Sequence, residues 1–192
     1  MKNGDKVIIS ALSPQAWLNV INEKGLVPLL CDVDPENGTV PVSEIEKHLP
    51  SNPSVLIIEY PLGFMPDMEA ISSLGIPIIE VVSHSFGLKF ADRLCGTFGE
   101  FTLYSLNSEN IITAGGGSLL MTSKKKLYSA LKELRENPSS IDLLLPDMNA
   151  ALALTQLREF ENYLVRRKEL YEAYANAAAK SRHRLLKQHE NG

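Results

Sequence analysis

Short, continuous apolar runs punctuate the first half of the chain: Val7-Ile8-Ile9, Val27 to Val33, Val55 to Ile58 and Ile76 to Val82. Each has a strand's length, is rich in β-branched residues and does not alternate with polar positions. Strands of that kind suit a sheet covered by helices on both faces. Segments of helical character lie between them. Pro14 to Lys24 is predicted to begin on Ser13 as N-cap and to stop at Gly25. Val42 to Leu49 follows an Asn-Gly turn, and Met68 to Leu74 follows Pro66-Asp67. Strand, helix, strand, helix is the rhythm of a mostly parallel sheet. Phe101 to Leu106 and Gly117 to Thr122 add two strands, joined by a polar loop and a glycine run. From Ser123 the period turns helical. Lys124 to Glu136 ends at Asn137-Pro138, and Ser139 to Pro146 reads as a loop. Met148 to about Arg184 reads as one long or slightly broken helix, with Leu152, Leu157, Phe160, Leu164 and Leu170 at helical spacing. The tail, Lys187 to Gly192, is expected to be disordered.

Composition narrows the class. With 192 residues, 44% of them hydrophobic, the chain can bury one core, and a single domain over residues 1–186 is expected. A net charge of −4 leaves no electrostatic footprint for nucleic acid. The basic clusters Lys124-Lys125-Lys126 and Arg166-Arg167-Lys168 fall on predicted helices and read as solvated faces. Cys31 and Cys95 form no CxxC pair, and Cys31 reads as a small buried hydrophobe. The four histidines have no partner at metal-ligand spacing. No apolar run of signal-peptide or membrane length follows Met1, so no membrane contact and a reducing, cytoplasmic location are expected.

Few residues carry candidate chemistry. His84, between Ser83 and Ser85, could act as ligand or acid/base, or be an ordinary loop or interface histidine. Ser105, at a strand end, could hold an anion or cap a turn. Gly115-Gly116-Gly117 could cradle an anion, although a tight turn before the last strand needs the same residues. Asp32 and Asp34 in CDVDP suggest a metal pair or, more simply, turn residues, and no metal site is expected.

Three stretches considered together carry a resemblance: GDKVIIS to GLVPLLCDVDPENGTV from Gly4, IPIIEVVSHSFGL with GTFGEFTLYSLNSENIITAGGGSLLMT, and MNAALALTQLREFENYLVRRKELYEAY from Met148. In this order the chain resembles the DegT/DnrJ/StrS family of sugar-nucleotide aminotransferases, fold-type-I enzymes that use pyridoxal phosphate. The resemblance implies a three-layer α/β/α large domain with a mostly parallel sheet and a long C-terminal helix. It also implies a strand, a helix and a Ser-Gly-Thr phosphate loop ahead of Gly4-Asp5, and a small domain after the last helix. This sequence carries neither, so a truncated large domain is expected.

Residue by residue, the resemblance places Asn110 on the Schiff-base lysine, with Glu109 the neighbouring choice. The aldimine needs an unprotonated primary amine, which neither side chain offers. The related sugar 3-dehydrases put histidine there, and this chain does not match them either. Val81 falls on the aspartate that keeps the pyridine nitrogen protonated, and valine has no acceptor. Pro14 falls on the aromatic that stacks on the ring, and His84 on a glutamine facing the cofactor. Ser105 matches the phosphate-contacting serine, and Glu80 is shared as a structural hydrogen-bonding residue. The implied reading is a non-catalytic relative with no catalytic residue and no cofactor expected. Pyridoxal phosphate could be held only without a Schiff base, with Ser105 and His84 as vestigial contacts. Its partner would be a second copy (a homodimer) or another protein. The alternative is a subunit or remnant that binds cofactor or nucleotide-sugar non-covalently, or completes a site with another chain.

Overall fold

The computed structural model describes residues 1–90, 92–136, 144–183 and 185–186. The expected tail, 187–192, and most of the loop expected from Ser139 lie outside the described residues. Four apolar runs become the strands β1 (Lys6–Ser10), β2 (Val27–Cys31), β3 (Val55–Glu59) and β4 (Ile78–Val81). Helices α1 (Gln15–Glu23), α2 (Val42–Glu46) and α3 (Met68–Ser73) connect them in turn. Parallel neighbours cannot be joined by a tight hairpin, so each connection crosses the sheet as a helix. Two short strands, β5 (Lys89–Phe90) and β6 (Arg93–Leu94), form a separate antiparallel pair that the patterning did not anticipate. Then come β7 (Phe101–Ser105), β8 (Ser118–Met121), α4 (Lys125–Glu136), α5 (Asp147–Arg158) and α6 (Phe160–Ala179). The six-stranded sheet runs β2-β1-β3-β4-β7-β8, parallel throughout except for β8, which lies antiparallel on β7.

Successive residues on each strand serve opposite faces, so the continuous runs build two cores. Ile8, Leu56, Ile58, Ile78 and Tyr104 meet Ile45 of α2 and Met68 and Ile71 of α3 in the larger core. Val7, Ile9, Val55 and Ile57 meet Ile21 of α1 in the smaller one. Burying each of these aliphatic side chains contributes roughly 1.5–3 kcal/mol. The chain is therefore a three-layer α/β/α fold.

The layers are uneven. The smaller core stops at β3, with Ile79 and Val81 of β4 packed only at its margin. On the same face Phe101 and Leu103 are partly buried and Leu120 of β8 is exposed. After Ala114 no described residue is buried at all.

Several boundaries moved for local reasons. Ser13 does not cap α1. Pro14 takes the N-cap position without a side-chain bond, and the Ser13 hydroxyl lies buried beside Glu59 instead. Gly25 stops α1 as expected, at φ +65°. The second helix ends at Glu46, and Leu49–Ser51 with Pro50 turns as a short 3-10 segment. The long last helix breaks at Glu159, between two anchors on the body of the fold. Gln156 Oε1 accepts from the Thr113 amide at 2.9 Å, and the Phe160 ring packs 5.1 Å from that of Phe86. Finally, β2 is not covered on both faces. It is a sheet edge, with Val27 and Leu30 exposed.

Candidate functional site

In open α/β sheets, ligand sites form beyond the carboxyl ends of the parallel strands. Here the loops after β3, β4 and β7, together with α6, enclose a cavity of about 490 Å³. Its polar lining is Ser83, His84, Ser85, Glu109, Asn110 and Arg167. Leu62 also lines it, held at φ +54°, a conformation that costs a non-glycine residue about 1–2 kcal/mol.

The loop after β4 is fastened firmly. Ser85 Oγ donates to the Tyr60 carbonyl at 3.0 Å, and the Cys95 thiol donates to the Ser85 carbonyl at 2.8 Å. His84 is left exposed at the mouth. The loop after β7 folds around the Leu106 carbonyl, which accepts from Thr113 Oγ1 and the amides of Ala114 and Gly116. Tyr104 closes it from below, its hydroxyl donating to the Ile112 carbonyl and accepting from the Ile112 amide. Asn110 is buried in this loop. Its Nδ2 donates to the Ser105 carbonyl at 2.8 Å, while Oδ1 is buried without a partner.

The other expected positions are not in this cavity. Val81 sits on the opposite side of the sheet from Glu80, in register between Glu59 and Leu103. Ser105 Oγ accepts from the Asn107 amide at 3.3 Å and its own amide donates to Ser83 Oγ, so it caps a turn. Pro14 starts α1. Gly115, Gly116 and Gly117 all have positive φ, and the amides of the first two are spent on Thr113 Oγ1 and the Leu106 carbonyl. That is a tight turn, with little left to cradle an anion. Asp32 and Asp34 accept from the amides of Val33 and Glu36 and are turn residues.

Glu80 is fully buried and clamps its surroundings. One carboxylate oxygen accepts from the Tyr60 hydroxyl (2.5 Å) and the Gly96 amide (2.7 Å). The other accepts from the amides of Phe98 (2.6 Å) and Gly99 (2.5 Å). Burial, together with the Glu80 carboxylate, pushes the Tyr60 phenol far up. Burial likewise pushes the thiols up, Cys31 to about 12 and Cys95 to about 11, which keeps both protonated and inert.

Two residues escaped the sequence patterning. Arg167, read as part of a solvated basic cluster, lines the cavity with His84 and Asn110. Glu59 ends β3 on the Val81 side of the sheet, where burial raises its pKa. Its Oε1 is buried without a hydrogen-bond partner. A lone carboxylate closing the run Val55-Leu56-Ile57-Ile58 was the only available signal.

The family model of the DegT/DnrJ/EryC1/StrS aminotransferase family matches residues 1–191. The chain belongs to this family. It is 26% identical to a GDP-perosamine synthase of Escherichia coli O157:H7 over 189 residues, covering 91% of this chain and 52% of that protein. Among solved structures it is similar to the aminotransferase TlmJ of Streptoalloteichus hindustanus, with a TM-score of 0.86 at 22% identity, covering 95% of this chain and 54% of that one. It is also similar to DesV of S. venezuelae, with a TM-score of 0.86 at 19% identity over 100% of this chain and 56% of that one. The chain thus spans about half the length of the relatives it matches. Those structural likenesses establish the fold. No helix among the described residues is long and apolar enough to cross a membrane.

Proposed function

We propose that this chain is a non-catalytic member of the family, acting in the cytoplasm by binding or self-association. One observation carries the reading: among the described residues, the cavity lined by His84 and Asn110 holds Arg167 as its only Lys/Arg cation and no lysine. The residues do not fit pyridoxal phosphate held as a Schiff base. An amide nitrogen is not a nucleophile, and that of Asn110 is already committed to the Ser105 carbonyl. An arginine keeps its proton and cannot stand in for the amine. On the opposite side of the sheet Val81 offers no acceptor for a pyridinium proton. Self-association would use surface that this fold leaves exposed, and closed two-fold dimers are its commonest form.

A second reading rests on Arg167 and His84. Both can donate to phosphate oxygens, and a volume near 490 Å³ suits a small ligand. In that case the cavity would hold a nucleotide-sugar non-covalently, or complete a site with another chain.

One experiment separates these readings. Purified protein is mixed with pyridoxal phosphate, or with a GDP-sugar, and followed by visible spectrum and melting temperature. The proposal expects no aldimine band and no shift with either compound. An aldimine that borohydride traps on one lysine would overturn it. A melting shift with the GDP-sugar alone would favour the second reading.

A further inference from the structure

A second cavity, of about 650 Å³, adjoins the first. Phe86, Gly87 and Leu164 line both, so the two share a wall. At Gly87 that wall carries no side chain. Its φ is +86°, and a Cβ there would stand 2.7 Å from Cζ of Phe160.

The two chambers call for opposite chemistry. Besides the shared residues, Val82, Leu94, Met121 and Phe160 bound the second one. Its uncharged polar side chains are already spent inside the protein. The Cys95 thiol donates to the Ser85 carbonyl, Thr97 Oγ1 to the Leu94 carbonyl and Thr102 Oγ1 to the Gly96 carbonyl. Its charged lining residues, Lys89 and Glu161, are both exposed. The first chamber instead keeps polar groups unspent. Among the described residues, the Arg167 guanidinium and the His84 ring make no hydrogen bond or ion pair. Asn110 is only 7% exposed, yet its Oδ1 has no partner. That atom and the exposed Glu109 are acceptors waiting for a donor.

We propose that the paired cavities bind a small amphipathic anion, with its head on Arg167 and His84 and its apolar tail against Leu94, Met121 and Phe160. The inference rests on the binding reading above and names the class of ligand. A phosphate monoester supplies such a head. Its oxygens accept from Arg167 and His84, and its monoanion has a hydroxyl to donate to Asn110 Oδ1 or Glu109. Each chamber lies within the roughly 300–1,000 Å³ of small-molecule sites. Pyridoxal phosphate and a GDP-sugar have phosphate without an apolar tail, and so lack what the second chamber would hold.

The test titrates the full chain calorimetrically with inorganic phosphate and with butyl, hexyl and octyl phosphate, each below its micelle threshold. Affinity should rise roughly threefold to fourfold per added methylene. Arg167→Gln should weaken every alkyl phosphate about tenfold or more and leave that slope unchanged. Leu94→Asp should flatten the slope while butyl phosphate still binds. Val20→Asp, at a residue of α1 with 48% exposure against 46% for Leu94, should change neither. No binding of octyl phosphate, or binding only as micelles, would overturn the inference. So would an affinity that does not grow with chain length, or a slope that survives Leu94→Asp. Should Leu94→Asp fail to fold, the wild-type series still decides. A null result here leaves the non-catalytic reading standing, whereas an aldimine trapped on a lysine would overturn that reading and leave the chain-length slope to be judged by itself.

Discussion

Glu59 sits where a carboxylate is expensive: burial raises its pKa above the ordinary 4.5, and the nearby Ser13 hydroxyl and Trp17 indole only partly offset this. The sign of the consequence is fixed. The folded state keeps this proton to higher pH than the unfolded state, so the unfolded chain binds fewer protons in that window. The stability this group contributes is complete below about pH 4.5 and is lost as pH rises through the folded-state value. Glu59→Gln, which cannot ionise, should therefore melt higher than wild type near pH 8, and the two curves should converge near pH 4. Equal melting temperatures across that range would refute the assignment. This residue was not legible in the sequence, because a polar residue ending an apolar run looks like an ordinary strand boundary. Asn110 drew attention in the sequence only through the family resemblance, which placed it, or its neighbour Glu109, on the expected lysine. Its trapped amide, with one end satisfied and the other not, follows from how its loop wraps the Leu106 carbonyl.

At the level of elements, β4 is tied to the segment before β7 by the four bonds that reach the Glu80 carboxylate. Three of the donors are backbone amides at Gly96, Phe98 and Gly99, so the clamp positions a connection that has no regular structure of its own. Glu80→Gln would keep the shape but turn an NH2 toward two of those donors. It should cost about 2–4 kcal/mol, seen as a lower urea midpoint with unchanged slope. A loss under about 1 kcal/mol would mean that water replaces the clamp. The strands were readable to within about two residues because buried parallel strands must be apolar on both sides. What was not readable depended on neighbours. β2 has the composition of a covered strand and lies at an edge, and β5 and β6 are too short to show any period. Breaking the last helix at Glu159 needs Gln156 and Phe160 to be held by partners far away in sequence.

Taken whole, the molecule is graded from a dense half to a sparse one. Every buried residue among those described lies at or before Ala114, while β8, α4, α5 and α6 contribute none. Amide hydrogens open by local fluctuation where little apolar surface is covered, and only by global unfolding where much is. Amides of β1, β3 and β4 should thus exchange slowest, through global unfolding. Those of α5 and α6 should exchange orders of magnitude faster, through local opening that leaves the sheet intact. Exchange read residue by residue would show the gradient directly. Slow exchange of α6 on a par with β3 would contradict it.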